Sequence, residues 1–158
     1  MRNLQTEGIV IKRRNFNEAD RIITVLTKDL GKISVKATGV RRITSRRSSH
    51  IELLTYSRLS LYKGRNMPVL IEAQMHNSFS QIKDDLSKTG LAYHLCELID
   101  GLCPEDQEQQ QIFELFKKTL ERLEEEEDAL SLIHEFEIEL LIQLGYWHKT
   151  HEESKTLD

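Results

Sequence analysis

Proline is almost missing from this chain, with two in 158 residues beside seven glycines. That scarcity argues against long disordered linkers, which draw on both residues. The two cysteines, Cys96 and Cys103, sit in a helix-like pattern. They read as free thiols in a reducing cytoplasm, not as a disulfide framework. No apolar run approaches the ~20 residues a membrane-crossing helix needs. The opening Met1-Arg2-Asn3-Leu4-Gln5 reads as the lead into a strand, not as a signal peptide. A Gly-rich phosphate loop, a nucleophile-serine motif and a His-Glu-x-x-His pattern are all absent. An enzyme reading therefore has little to stand on, and no cofactor is expected.

Charge is present in quantity, and it is divided. Residues 1–80 hold 15 Lys and Arg against 6 Asp and Glu, and residues 81–158 hold 7 against 20. The net −4 of the whole chain hides a basic half joined to an acidic one. Such a split suggests a polyanion-binding module joined to a part with a different task. The densest basic run is Arg41-Arg42-Ile43-Thr44-Ser45-Arg46-Arg47, with Lys32 and Lys36 just before it.

The two halves also differ in period. Up to about residue 76 apolar residues alternate in twos: Ile9 and Ile11, Ile23 and Val25, Ile33 with Val35 and Ala37, Ser57 with Leu59 and Leu61, and Val69 with Ile71, Ala73 and Met75. This predicts five strands, each with one core face and one largely polar face. Turns are expected at Asn15–Glu18 and at Asp29–Gly31, where Gly31 can take a positive φ. Five short strands in a small basic unit suggest a closed barrel, which leaves few exposed edges. From about Ser80 the period becomes 3.6. Leu91, Leu95, Leu98 and Leu102 form one stripe; Ile112, Phe113, Phe116, Leu120 and Leu123 a second; Ile133, Phe136, Leu140 and Leu144 a third, ending at Gly145. The expected architecture is α+β: a barrel over residues 1–78 and a helical domain over 79–158, packed together across a short join.

Several segments carry a resemblance. Thr6-Glu7-Gly8-Ile9-Val10-Ile11, Asn17-Glu18-Ala19-Asp20-Arg21-Ile22-Ile23, Leu26-Thr27, Gly31-Lys32 and Gly39-Val40-Arg41-Arg42 with Ser45-Arg46, in this order and spacing, closely resemble the RecO family of DNA repair proteins. Ala92-Tyr93, Glu97-Leu98-Ile99, Phe136-Glu137, Glu139-Leu140-Leu141 and Leu144-Gly145-Tyr146 are similar to that family's helices. The resemblance covers about residues 5–147. It implies an N-terminal OB-fold followed by helices. It also implies a cytoplasmic, nucleoid-associated recombination mediator that binds single- and double-stranded DNA and anneals complementary strands. The family works with RecR and helps load RecA on DNA coated by single-strand-binding protein. One departure is plain. Members commonly continue into a cysteine-rich zinc-binding stretch, whereas here Tyr146 is followed by Trp147-His148-Lys149-Thr150-His151 and no Cys-x-x-Cys occurs. The chain thus reads either as a shortened member or as part of a longer one, and the missing stretch puts any zinc requirement in doubt.

Candidate DNA-binding residues are Arg41, Arg42, Arg46 and Arg47, expected in a loop on which no core packing depends, together with Lys12, Arg13, Arg14, Arg21 and Lys36. Guanidinium forks suit phosphate oxygens; the competing reading is a solvated surface. Tyr56, Arg58 and Tyr62 share one strand face by parity, and a face of that kind on an OB barrel can stack unpaired bases. The competing reading is a Tyr pair that covers the barrel end or the helix interface, and Phe16 at a turn is similarly open. Glu18 and Asp20 suit turn capping or pairing with Arg21 better than Mg²⁺. His148 and His151 lack further ligands, and core packing is expected for His94, Cys96 and Cys103. Phe116, Lys117, Lys118, Leu120 and Arg122 could form a groove for an acidic, apolar peptide such as the tail of single-strand-binding protein. Ordinary i,i+4 pairing with Glu114 or Glu121 competes with that reading. Two other functions stay open: a general single-stranded nucleic-acid-binding OB protein, and a protein-interaction adapter acting through its helical half.

Overall fold

The computed structural model describes residues 2–42 and 45–146. Its first half is a closed five-stranded barrel of β1 (Arg2–Phe16), β2 (Asp20–Thr27), β3 (Lys32–Ala37), β4 (Tyr56–Lys63) and β5 (Val69–Asn77), joined in the order β1-β2-β3-β5-β4. Neighbours run antiparallel except β3 and β5, which meet in parallel with Lys36 opposite Val69. This strand order in a small barrel is the OB-fold. The strand β1 serves two sheets. Its first half pairs with β4, from Arg2 opposite Lys63 to Ile9 opposite Tyr56, and its second half pairs with β2 out to Phe16 opposite Asp20.

Alternation fixes what lies inside. Val10, Ile23, Val25, Ile33, Val35, Leu59, Leu61 and Leu70 fill the barrel. On β1 the outward residues are buried too, because Ile9 and Ile11 join a second core with Leu26, Phe79 and the helices. Each such side chain contributes roughly 1.5–3 kcal/mol when fully buried, so the expected polar outer face fails where the helices sit. On β5 the expected parity fails for another reason. The register shifts between Ser60 and Leu61, where Leu61 faces Leu70 but Ser60 faces Glu72. The extra residue of this bulge turns Leu70 inward beside Ala73 while Ile71 is exposed; Met75 keeps the parity of Ala73 but is exposed toward the end of the strand.

The helices are α1 (Ser80–Lys83), α2 (Leu86–Leu102), α3 (Gln110–Glu125) and α4 (Ala129–Gln143). Asp85 caps α2 by accepting from the Lys88 amide at 3.1 Å, and Asp128 caps α4 through Ser131 at 3.3 Å. The buried faces of α3 and α4 follow their stripes. That of α2 is rotated, with Ala92, Leu95, Cys96 and Ile99 buried and Leu91, Leu98 and Leu102 only partly so. Small residues on that face let the helix approach β1 closely. His94 is not in the core; it lies on the surface with Nε2 3.2 Å from Glu137 Oε1. Gly145 ends α4 at φ +82, its amide on Ile142 O and the Tyr146 amide on Leu141 O, the paired bonds of a Schellman stop. Gly31, at φ +70, does more than turn the chain. A Cβ there would lie 1.8 Å from the Gln107 carbonyl oxygen, so the β2–β3 turn packs directly on the α2–α3 connection. Among the described residues no helix is long and apolar enough to cross a membrane.

Candidate nucleic-acid interface

The outer faces of β1, β2 and β3 form a ladder set by register. Leu26 lies opposite Lys32; Lys12, Thr24 and Ser34 make the next rung; Arg14, Ile22 and Lys36 the next; Phe16 and Asp20 the last. The rungs nearest the helices are neutralised by them. Lys32, only 6 % exposed, donates to the Asp100 carbonyl at 2.7 Å. Lys12 Nζ is 3.4 Å from Asp100 Oδ2, and Ser34 donates to Glu105 at 3.2 Å. The far rungs are different: Arg14 and Lys36 have no anionic partner among the described residues and converge on the half-buried Phe16 ring.

The basic loop starts beside this end of the ladder. The Gly39 amide donates to Asp20 Oδ1 at 2.8 Å, the Arg41 amide to Ala19 O at 2.9 Å, and Arg41 Nη1 to Asn17 O at 3.1 Å. Asp20 therefore caps the loop and does not pair with Arg21. Arg42 and Arg46 are exposed and carry no ion pair among the described residues. Arg47 departs from expectation. Its guanidinium donates to Leu70 O at 3.1 Å and to Thr38 O, bridging β5 to the end of β3 across the thinly paired parallel seam. It is part of the barrel, not a free loop cation.

Four more candidates are engaged elsewhere. Arg13 and Arg21 both reach Glu52, at 3.2 and 3.1 Å. Arg58 donates to Gln5 at 2.5 Å in a small depression with Ser60, Glu72 and Gln74, on the β4–β5 side of the barrel. Tyr56 shares Arg58's parity but not its exposure. Its hydroxyl donates to Glu7 at 2.7 Å, and its ring lies against Phe113 and His76 with Lys117 Nζ 5.1 Å from its centre. Burial and the neighbouring Glu7 carboxylate push its phenol well above the ordinary value. The base-stacking role expected for Tyr56 gives way to an interface role, because α3 covers the ring.

The expected peptide groove is likewise closed. Phe116 and Leu120 are fully buried among the helices. Lys117 pairs with Glu121 at 3.7 Å and Arg122 with Glu135 at 3.1 Å. Lys118 is exposed, beside Glu114 and Glu139 in an open depression. Cys96 and Cys103 are buried free thiols. Burial pushes Cys96 up to about 12 and raises Cys103 as well. Among the described residues no three His, Cys, Asp or Glu side chains gather as metal ligands, and His148 and His151 lie outside the described residues. Sequence reasoning missed the roles of Asp100 and Glu52, which decide which cations are spent. No local signal marks either one. From the sequence alone Phe16 is marked only as an aromatic at a turn.

A closed OB barrel with a graded basic face, buttressed by a helical bundle, defines the class of protein. The particular family follows from comparison. The model described as "Recombination protein O N terminal" matches residues 1–79, and "Recombination protein O C terminal" matches residues 83–156. The chain belongs to the RecO family. It is 37% identical over 147 residues to the DNA repair protein RecO of Acetivibrio thermocellus, covering 92% of this chain and 59% of the relative. It is 36% identical over 144 residues to that of Dehalococcoides mccartyi, covering 91% and 57%, and 36% identical over 141 residues to that of Symbiobacterium thermophilum, covering 89% and 56%. The chain spans a little over half the length of these curated relatives.

Proposed function

We propose that this chain acts as a non-catalytic recombination and repair mediator, binding single- and double-stranded DNA through the outer face of its barrel and annealing complementary strands. The observation that carries the reading is the set of cations left unpaired at one end of that face: Arg14, Lys36, Arg42 and Arg46, with Arg41 beside them. Cations of this kind release counterions on meeting phosphates, whereas paired ones have less to gain. The face formed by strands two and three, flanked by the β1–β2 loop, is also where OB-folds take oligonucleotides. On this reading residues 1–78 hold DNA, while the acidic residues 79–158 repel it and brace the barrel.

The finer role rests on family membership. The relatives are named DNA repair protein RecO, and the proposal extends to cooperation with RecR and to helping load RecA on strands coated by single-strand-binding protein, in the cytoplasm at the nucleoid. The test is annealing of complementary strands by the full chain without ATP, with and without RecR. Annealing that falls steeply with salt is expected, and RecR is expected to change its rate on coated strands. Salt-independent binding, or RNA competing as well as DNA, would displace the reading.

A further inference from the structure

The β1–β2 hairpin ends in an aromatic ring attended by two uncompensated cations. Phe16 occupies the last register position of β1 and is half-buried. Arg14 Cζ lies 5.7 Å from its ring centre and Lys36 Nζ lies 5.5 Å from it. The cations come from different strands, on one rung either side of Ile22, so sheet register and not a mobile loop sets the triad. The nearest carboxylate across the hairpin, Asp20, is turned to the Gly39 amide. Glu18, exposed at the tip, has no partner among the described residues. Cation–π attraction offsets only about 0.5–1 kcal/mol per exposed cation. Two like charges held at one ring are therefore poised for an anion. An aromatic face between two phosphate-seeking cations fits one ligand chemistry well, a nucleobase with its flanking phosphates.

We infer that Phe16 is a stacking platform for one unpaired base, with Arg14 and Lys36 holding the adjoining phosphates. This rests on the barrel being the DNA site, and it adds a consequence that charge alone does not give. The ring distinguishes unpaired from paired strands, because a duplex keeps its bases stacked on one another.

The test measures the full chain on three ligands of equal length: oligo-dT, the same backbone with abasic residues, and a duplex. Phe16→Ala should weaken oligo-dT binding roughly 5- to 150-fold, leave abasic and duplex binding within about twofold, and leave the salt slope unchanged, since no phosphate contact is lost. The Arg14→Ala, Lys36→Ala pair should weaken all three and lower the slope by about 2. Phe16→Trp should keep the affinity and show emission quenched by oligo-dT, after subtraction of the parent's signal. Phe16→Leu keeps apolar bulk without a π-face and carries the comparison if Phe16→Ala does not fold. A parent-like affinity for oligo-dT in both variants, or equal losses on intact and abasic strands, overturns the platform alone. A parent that binds none of the three ligands overturns the DNA reading with it.

Discussion

Lys32 fastens the end of α2 to the barrel: its ammonium donates to the Asp100 carbonyl at 2.7 Å and stands 3.6 Å from the Asp100 carboxylate. Lys36, four residues along the same strand, has no such partner among the described residues and lies over Phe16. Two lysines on one face of one strand are thus assigned different work by what the helical half places above them.

That difference is measurable. Lys32→Met keeps the apolar stem but orphans a carbonyl and weakens the hold on Asp100, which should destabilise the fold by about 2 kcal/mol. For a chain of this size the melting temperature should drop by about 4–8 °C, with the salt slope of DNA binding unaltered. Lys36→Ala should do the reverse, lowering the slope by about 1 while the melt stays within about 2 °C of the parent. Thermal unfolding by circular dichroism and anisotropy titrations at several salt concentrations read both. An equal effect of the two substitutions on DNA binding would remove the distinction.

Arg47 carries a second expectation. Its fork joins Thr38 O and Leu70 O where β3 and β5 share a single register pair, Lys36 with Val69. Arg47→Ala should destabilise the chain by about 1–3 kcal/mol, the range for leaving a part-buried acceptor, here Leu70 O, unpaired. Faster amide exchange is expected along β3 and β5, with β1 and β2 little changed. Arg47→Lys should not rescue it, because one ammonium lacks the planar fork that spans two carbonyls. Rescue by lysine would reduce Arg47 to a general positive charge.

The contrast between Arg47 and Arg46 also marks where the sequence stops being readable. Period alone gave the five strands and three long helices, because burial on one face imposes a repeat of 2 or 3.6 on any chain. It could not reveal that Ile9, Val10 and Ile11 are all buried, since that requires knowing that helices cover the outside of β1. Nor could it place the β5 bulge, where one extra residue turns Leu70 inward in place of Ile71 while Ala73 keeps its expected side. Of the candidate site, the basic loop and the barrel were legible as composition. Which cations remain free was not, because Asp100 and Glu52 are remote in sequence and adjacent only once folded.

Tyr56 supplies a pH test. Its phenol is raised by burial, by its hydrogen bond to Glu7 and by that carboxylate's charge. A raised value means the fold favours the neutral phenol. Its contribution is full below the ordinary phenol value of about 10 and is lost as pH climbs through the raised one. The melting advantage of the parent over Tyr56→Phe should therefore be constant from about pH 7 to 9 and narrow above about pH 10. DNA affinity should be the same in both proteins, because α3 covers the ring. A loss of single-strand binding in Tyr56→Phe would return Tyr56 to the DNA face.

The division of labour between the halves gives the last prediction. Arg42→Ala with Arg46→Ala removes two exposed cations that hold nothing else in place among the described residues. DNA affinity should fall on every ligand, single-stranded or duplex, and the salt slope should drop by about 2, with the melt unchanged. Arg47 is left intact in this variant so that loss of binding is not confused with loss of the β3–β5 seam. The comparison is charge reversal at Lys117, Lys118 and Arg122. Two of these already face glutamates, at 3.7 and 3.1 Å, and the third stands beside Glu114 and Glu139. Residues 81–158 carry 20 acidic side chains against 7 basic ones, so a phosphate backbone gains little there whether those three are positive or negative. Reversal should cost some helix stability through the lost Glu121 and Glu135 pairs, about 0.2–1 kcal/mol each, and leave DNA binding within about twofold on the same ligands. If the helical reversal weakens binding more than the loop substitutions do, the barrel is not the principal DNA site. The ladder from Lys32 to Phe16 would then be a stabilising surface only.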